Sequence, residues 1–379
     1  MKHHLYNPGF KFFRDPEEFN KYSDRDFLQY CLGATMYMPA HRDFTEAILS
    51  HKYPGLTSMV MCFEDACKEE DVPRAEANSI HLLEVMSKKL EKGDITYSDL
   101  PLLIFRVRNL EQFKHFSEQL KPAYLKVLTG FNFPKFNAEN GEAYFAHLQE
   151  LNEKSGEIIY GLPIIEDRSV AWKETRLTEL LGIKQILDHY KPLVLNVRVG
   201  ATDFSACFGA RRNVEYTIYD IVTVRDILQD ILNVFSRDGA YVVSGPVWEY
   251  FKINKSMRFT ELPKVNFHES LLKRETIVNA EVDGLMRELI LDKANGFIGK
   301  TIIHPSHINF VNGMLAVTRE EYEDAVQVLE ASGGVLKSAN SNKMNEIGPH
   351  HLWAEKLIAC ARAYGVIDNK QSYLELFGK

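Results

Sequence analysis

The chain has few cysteines, and no two of them are spaced as C-x-x-C. Cys31, Cys62, Cys67, Cys207 and Cys360 form an odd, scattered set, which excludes a zinc module or a disulfide framework and leads us to expect a reducing compartment. Long apolar runs are missing as well. Nothing approaches the roughly 18 apolar residues of a membrane span. The first residues, MKHHLYNPGFKFFRDPEEF, lack the continuous apolar core of a signal peptide. A cytoplasmic protein without a membrane partner is the expectation. Basic excess is lacking too: 45 Lys and Arg stand against 52 Asp and Glu, leaving a net charge of −7. That balance argues against nucleic acid as a main partner, although Arg211 and Arg212 make a local basic pair. There is no low-complexity segment and no internal repeat beyond the secondary-structure rhythm.

One further absence concerns the stretch ANGFIGKT at 294–301. A phosphate loop needs G-x-x-x-x-G-K-[ST], so that backbone N–H groups surround phosphate oxygens. Gly299, Lys300 and Thr301 fit, but Ala294 stands where the first glycine belongs. After GKT a phosphate loop turns into a helix. Here the β-branched Thr301, Ile302 and Ile303 and then Pro305 follow, so the stretch reads as a strand, its glycines allow close packing, and Lys300 is a structural or rim residue.

What the sequence does contain is a repeating pattern. Apolar β-rich runs occur at 33–40, 58–65, 102–109, 124–130, 158–167, 194–204, 240–247 and 297–305, separated by segments of roughly 20 to 40 residues, the rhythm of βα units. Eight such units predict an α/β TIM (β/α)8 barrel. RAEANSIHLLEVMSKKLEKG ends at Gly93, and VEYTIYDIVTVRDILQDILNVFSRDG ends at Gly239, both helix C-terminus signatures. Thr318 and Glu321 form a capping-box pattern before an amphipathic run. The expected organisation is an N-terminal extension at 1–32, a barrel at 33–332, and a C-terminal loop and helical module at 333–379.

Catalytic residues of such barrels sit at the C-terminal ends of strands. The second strand ends in Glu64 and Asp65 and the third carries Arg106 and Arg108. Lys135 follows the fourth, Glu166 and Asp167 end the fifth, Asp203 ends the sixth, and His304 ends the eighth. Glu166 and Asp203 could supply the carboxylate pair that a hard cation such as Mg²⁺ prefers. So held, the ion would polarise an α-keto acid and stabilise an enolate. Arg106 and Arg108 share one strand face, and which of them meets substrate is left open by the pattern.

These residues resemble the HpcH/HpaI aldolase and citrate lyase β-subunit family over roughly 33–365. The likeness is carried by MYMPAHR, FEDA (63–66), FRVRN with Arg106, the Pro134-Lys135 dipeptide, PIIED with Glu166, GATDF with Asp203, and GFIGKTIIHPSHI (296–308). The chain looks most like a divergent C–C bond lyase-like branch, some members of which occur in bacterial tellurium-resistance gene neighbourhoods. The resemblance implies a metal-dependent lyase or aldolase with Glu166 and Asp203 as ligands of Mg²⁺, or alternatively Mn²⁺. It makes Arg106, Asp65 and Glu64 the catalytic candidates, with Arg106, Arg108 and Lys135 binding substrate. That substrate is a hydroxy or keto acid or its acyl-coenzyme A thioester. A homo-oligomer, trimer or hexamer, is implied as well. The alternative is a diverged barrel acting as a binding or assembly component of a multi-enzyme pathway.

For the rest, blander readings are favoured. Cys62 and Cys67 behave as small hydrophobes, His304 is structural, and Trp353 is a packing anchor. Phe131, Phe133 and Phe136 either form a lid or pack their loop onto the rim.

Overall fold

The computed structural model describes residues 1–252, 267–338, 342–370 and 372–378. Apolar runs form seven short strands: β1 (Ala34–Pro39), β2 (Ser58–Cys62), β3 (Leu102–Arg106), β4 (Leu128–Phe133), β5 (Tyr160–Ile165), β6 (Arg198–Val199) and β7 (Lys300–Ile302). They are almost wholly buried, as strands covered by helices outside and side chains inside must be. Their order is β6-β5-β4-β3-β2-β1-β7, and every pairing is parallel. The run at 240–247 closes the ring by bridges, Val243 to Val197 and Gly245 to Lys300, rather than as a continuous strand. Pro246 follows at once and has no N–H to extend a ladder. The result is the expected TIM-barrel fold.

Three boundaries differ from expectation. Residues 124–127 were expected to be strand, but Pro122 opens a helical turn, Pro122–Leu125, and β4 begins only at Leu128. Ala201–Cys207 is a helix rather than the end of the sixth strand, so Asp203 sits on a first helical turn. Within ANGFIGKT, Ala294 and Asn295 end the helix Ala280–Asn295, Gly296 caps it at φ 93°, and the strand starts at Lys300. Gly299 does pack closely: with φ 78°, its Cβ would stand 3.0 Å from the Gly33 carbonyl oxygen.

The outer helices follow their signatures in part: the run at 214–239 was expected to end at Gly239, but its helix spans only Val222–Phe235 and stops at Ser236, with Gly239 in the short turn beyond. Val72–Lys92 ends at Gly93 with φ 76°. Val222–Phe235 buries Val224, Ile227, Leu228 and Ile231 on one face. Thr318 and Glu321 form the capping box of Arg319–Glu330.

The end of the barrel where the strands begin is sealed. Asn312, on helix Ile308–Leu315, accepts from Ala34 N–H at 2.9 Å and donates to the Gly55 carbonyl at 2.8 Å. His3 bridges the Cys31 and Ala363 carbonyls, so the two termini meet there. Val317–Thr318 pairs with Val366–Ile367, and helix Ile347–Tyr364 packs on Arg319–Glu330 through Ala354, Leu357 and Ala361. Among the described residues no helix is long and apolar enough to cross a membrane.

Candidate active site

With one end sealed, the rim at the strands' C-terminal ends holds the open cavity, about 440 Å³, lined by Tyr37, Asp65, Arg106, Glu166, Arg198 and Asp203 among others. Arg106, the last residue of β3, organises one wall. Its Nη2 lies 2.7 Å from Glu64 Oε2 and 3.0 Å from Glu166 Oε1, and its Nη1 lies 2.8 Å from Asp65 Oδ2. Burial works against the guanidinium charge, but Glu166 and Glu64 outweigh it and push its pKa above the ordinary arginine value. Lys135 joins this wall through its backbone N–H to Glu166 Oε1 (3.0 Å) and its Nζ to Glu64 Oε1 (2.7 Å). Its φ of 47° is a left-handed conformation rare for a side-chain-bearing residue; the two bonds hold it there, the kind of strain found at functional sites.

Glu166 and Asp203 meet at Gly200. The fit to a cation can be read from the space that glycine leaves. A Cβ on Gly200 would lie 2.3 Å from Glu166 Oε2 and 3.2 Å from Asp203 Oδ2. The Glu166 side chain thus fills the space that the missing side chain leaves, and its carboxylate is brought beside that of Asp203. Burial pushes the Glu166 pKa up to about 7 against the pull of Arg106, and the negative Asp203 adds to the rise. Burial raises Asp203 too, with Lys135 opposing. Two crowded carboxylates, each resisting ionisation, suit a divalent ion. No cluster of three or more His, Cys, Asp or Glu that could hold a metal occurs among the described residues. Two carboxylates suffice for magnesium, which keeps several waters or substrate oxygens in its shell. Asp65 behaves oppositely: burial opposes its charge, but Arg106 and Lys135 hold its carboxyl below the usual range, so it is ionised at neutral pH.

Arg108 is not brought into this group. Its Nη1 donates to the Phe63 and Cys67 carbonyls at 2.9 and 3.0 Å, tying down the loop that carries Glu64 and Asp65. His304 caps the turn Pro305–His307 and stacks on Phe251 at 4.2 Å, a structural role. Phe131, Phe133 and Phe136 are wholly buried and therefore packing residues. Cys62 and Cys67 are free and buried, and burial raises both thiol pKa values. Arg212 is no basic patch: it is buried against Glu249 and Glu288. Trp353 stays 39% exposed, with its ring edge-on to His350. Lys300 is fully buried, 2.9 Å from Glu288 Oε1 and 2.7 Å from Asp292 Oδ2, and far from binding phosphate it neutralises two core carboxylates.

Arg198, Tyr37 and Thr301 line the cavity but carry no site role in the sequence reading. A signal existed. In NVRVG, period-two alternation puts Asn196, Arg198 and Gly200 on one face, a polar stripe inside an apolar run.

A family model described as C-C bond lyase of the TIM-barrel fold matches residues 26–366. The chain belongs to this family of carbon–carbon bond lyases. Among solved structures, the lyase is similar to the protein CitE from Mycobacterium tuberculosis in complex with magnesium, acetoacetate and coenzyme A. The two share 17% identity, with 88% of this chain and 99% of that chain covered and a TM-score of 0.52. The citrate lyase beta subunit from M. tuberculosis, complexed with oxaloacetate and magnesium, shares 16% identity over 75% of this chain and 96% of that one, with a TM-score of 0.44. A lead(II) complex of Haloferax volcanii malate synthase shares 13% identity over 75% and 72% of the two chains, with a TM-score of 0.49. At these identities the likeness is one of fold, and it is the CitE match that carries it. No curated protein matches the chain.

Proposed function

We propose that this lyase makes or breaks a C–C bond in a hydroxy or keto acid, or in its acyl-coenzyme A thioester, with Mg²⁺ or Mn²⁺ held by Glu166 and Asp203. The observation that carries the reading is that Glu166 Oε2 and Asp203 Oδ2 are brought close together beside Gly200, next to the Arg106 guanidinium. The ligands named for the similar CitE structure, magnesium, acetoacetate and coenzyme A, support it.

When bound, the ion would supply Lewis-acid polarisation of a substrate carbonyl. The protein does the rest. Arg106 offers fixed positive charge where negative charge develops on the substrate oxygen, in a cavity where such charge counts for more than in water. Being ionised, Asp65 can take a proton from a substrate hydroxyl or water; Glu64, tied to Arg106 and Lys135, keeps both cations oriented. Lys135, half-exposed at the rim, is placed to meet a substrate carboxylate as it enters. Arg108 serves through its hold on the Glu64–Asp65 loop. A cytoplasmic homo-oligomer, trimer or hexamer, is part of the same proposal, with Trp353 available to a second copy. The alternative of a non-catalytic assembly component draws no support from a site in which Arg106, Glu166 and Asp203 are all in place.

Calorimetric titration tests the reading. Mg²⁺ and an α-keto acid such as pyruvate, oxaloacetate or glyoxylate should bind cooperatively, and the coupling should vanish in Asp203→Ala. Unchanged coupled binding in that variant sinks the metal assignment.

A further inference from the structure

Arg198 is a buried cation for which the chemistry above has no use. It lies on β6, is 1% exposed, and lines the same cavity as Glu166 and Asp203. Its Nη1 donates to Thr35 Oγ1 at 3.3 Å and its Nη2 to Thr301 Oγ1 at 2.6 Å. Its guanidinium carbon stands 5.7 Å from the centre of the Tyr37 ring. Its Nε is buried without any partner. Among the described residues no carboxylate pairs with it. By contrast, the similarly buried Arg106, Arg176 and Arg212 each sit on two or more carboxylates, and Arg287 is met by the carbonyls of Leu271 and Glu215.

An arginine keeps its proton at any working pH, and a buried charge without a counter-charge costs several kcal/mol. Two hydroxyls and a ring face do not balance it. Glu64, Asp65 and Glu166, the last at the end of the strand next to β6, are all committed to Arg106. Arg198 is thus a flat fork of N–H donors, aimed into a substrate cavity and lacking an anion, the geometry that recognises carboxylate or phosphate. Tyr37 stands ready to assist. Its hydroxyl oxygen accepts from Asn132 Nδ2, which leaves its own O–H free to donate.

We infer that Arg198, with Tyr37 and Thr301, forms an anion subsite that receives a second negatively charged group of the substrate, a carboxylate or a phosphate. The inference rests on the proposed lyase reading for what fills the Glu166–Asp203 end; the subsite itself needs no metal. Arg198 is then a specificity residue, selecting doubly anionic substrates over singly charged ones.

The test compares three ligands that share a 2-oxo acid and differ at the far end: pyruvate, oxaloacetate and phosphonopyruvate. Affinities are measured by calorimetry with Mg²⁺ and again in EDTA, for wild type and for Arg198→Met. One of the two doubly anionic acids should bind wild type at least about tenfold tighter than pyruvate, and which one does so identifies the anion. In Arg198→Met that preference should collapse toward unity while Mg²⁺ alone still binds. Wild type that shows no preference for either acid overturns the inference, and this arm holds even if the variant does not fold. A folded Arg198→Met that keeps the preference overturns it as well. If Mg²⁺ changes nothing in any arm, the metal reading fails on its own, and the ratios in EDTA still decide the subsite.

Discussion

Replacing Gly200 by alanine adds one methyl group where the Glu166 side chain already lies. The backbone there, φ −97° and ψ 72°, lies at negative φ and demands no glycine. The added Cβ, however, would stand 2.3 Å from Glu166 Oε2, 2.5 Å from Glu166 Cβ and 3.2 Å from Asp203 Oδ2. Ordinary carbon contacts lie near 3.5–4.0 Å, so Glu166 must retreat by more than about 1 Å. It is not free to do so in place, because its Oε1 takes hydrogen bonds from Arg106 and the Lys135 N–H. A displacement of that size costs on the order of 100-fold when it misplaces a reacting group, and even changes behind the ligands cost about 10–100-fold in metal affinity. Gly200→Ala should therefore weaken Mg²⁺ binding by at least about 100-fold in a calorimetric titration. Thermal unfolding in EDTA, run alongside, should show a cooperative transition. A folded Gly200→Ala protein that binds Mg²⁺ as wild type does would refute the assignment of Glu166 as a ligand of the ion.

Three more outcomes follow from particular contacts. Lys300→Met leaves Asp292 buried without a cation and Glu288 with Arg212 alone and should lower stability by about 3–5 kcal/mol in urea titrations; a near-neutral result would show that Asp292 is solvated or protonated. Arg106→Lys keeps a charge but loses the fork that reaches three carboxylates, and turnover should fall about 10²- to 10³-fold, measured on whichever keto acid or thioester a substrate screen returns. His4 is buried, with Nδ1 on the Tyr6 hydroxyl and Nε2 on the Tyr364 carbonyl, and burial lowers its pKa to about 3. The unfolded chain therefore binds the proton first, so stability present above about pH 6.5 is lost as pH falls toward 3, amounting to about 2 kcal/mol by pH 5. Urea unfolding of wild type and His4→Gln at pH 7 and 5 checks this, and equal pH slopes would contradict it.

The parts of the site legible in the sequence are those where chemistry sits at a strand end. Glu166 and Arg106 stand where apolar runs stop, and that boundary is visible without coordinates. Asp203 was found for the same reason but on the wrong element, because VLNVRVGATDF is apolar and β-branched until a helix takes over at Ala201. Arg108 looked equivalent to Arg106. Period-two alternation puts both on one face, but only the fold shows that the strand stops at Arg106 and that Arg108, beyond it, ends on the carbonyls of Phe63 and Cys67. For Arg198 the polar stripe of NVRVG marks an inward face but not a role; that depends on a buried Nε without a partner, which only three-dimensional packing reveals. The same applies to Lys300, whose two carboxylates lie 12 and 8 residues away on a neighbouring helix.

The central claim is that Glu166 and Asp203 hold one catalytic ion, and a crystal structure grown with Mg²⁺ and oxaloacetate tests it most directly. The account predicts an ion at about 2.0–2.1 Å from oxygens of both Glu166 and Asp203. An ion bound elsewhere, or no ion at saturating Mg²⁺ with both carboxylates unmoved, would contradict it.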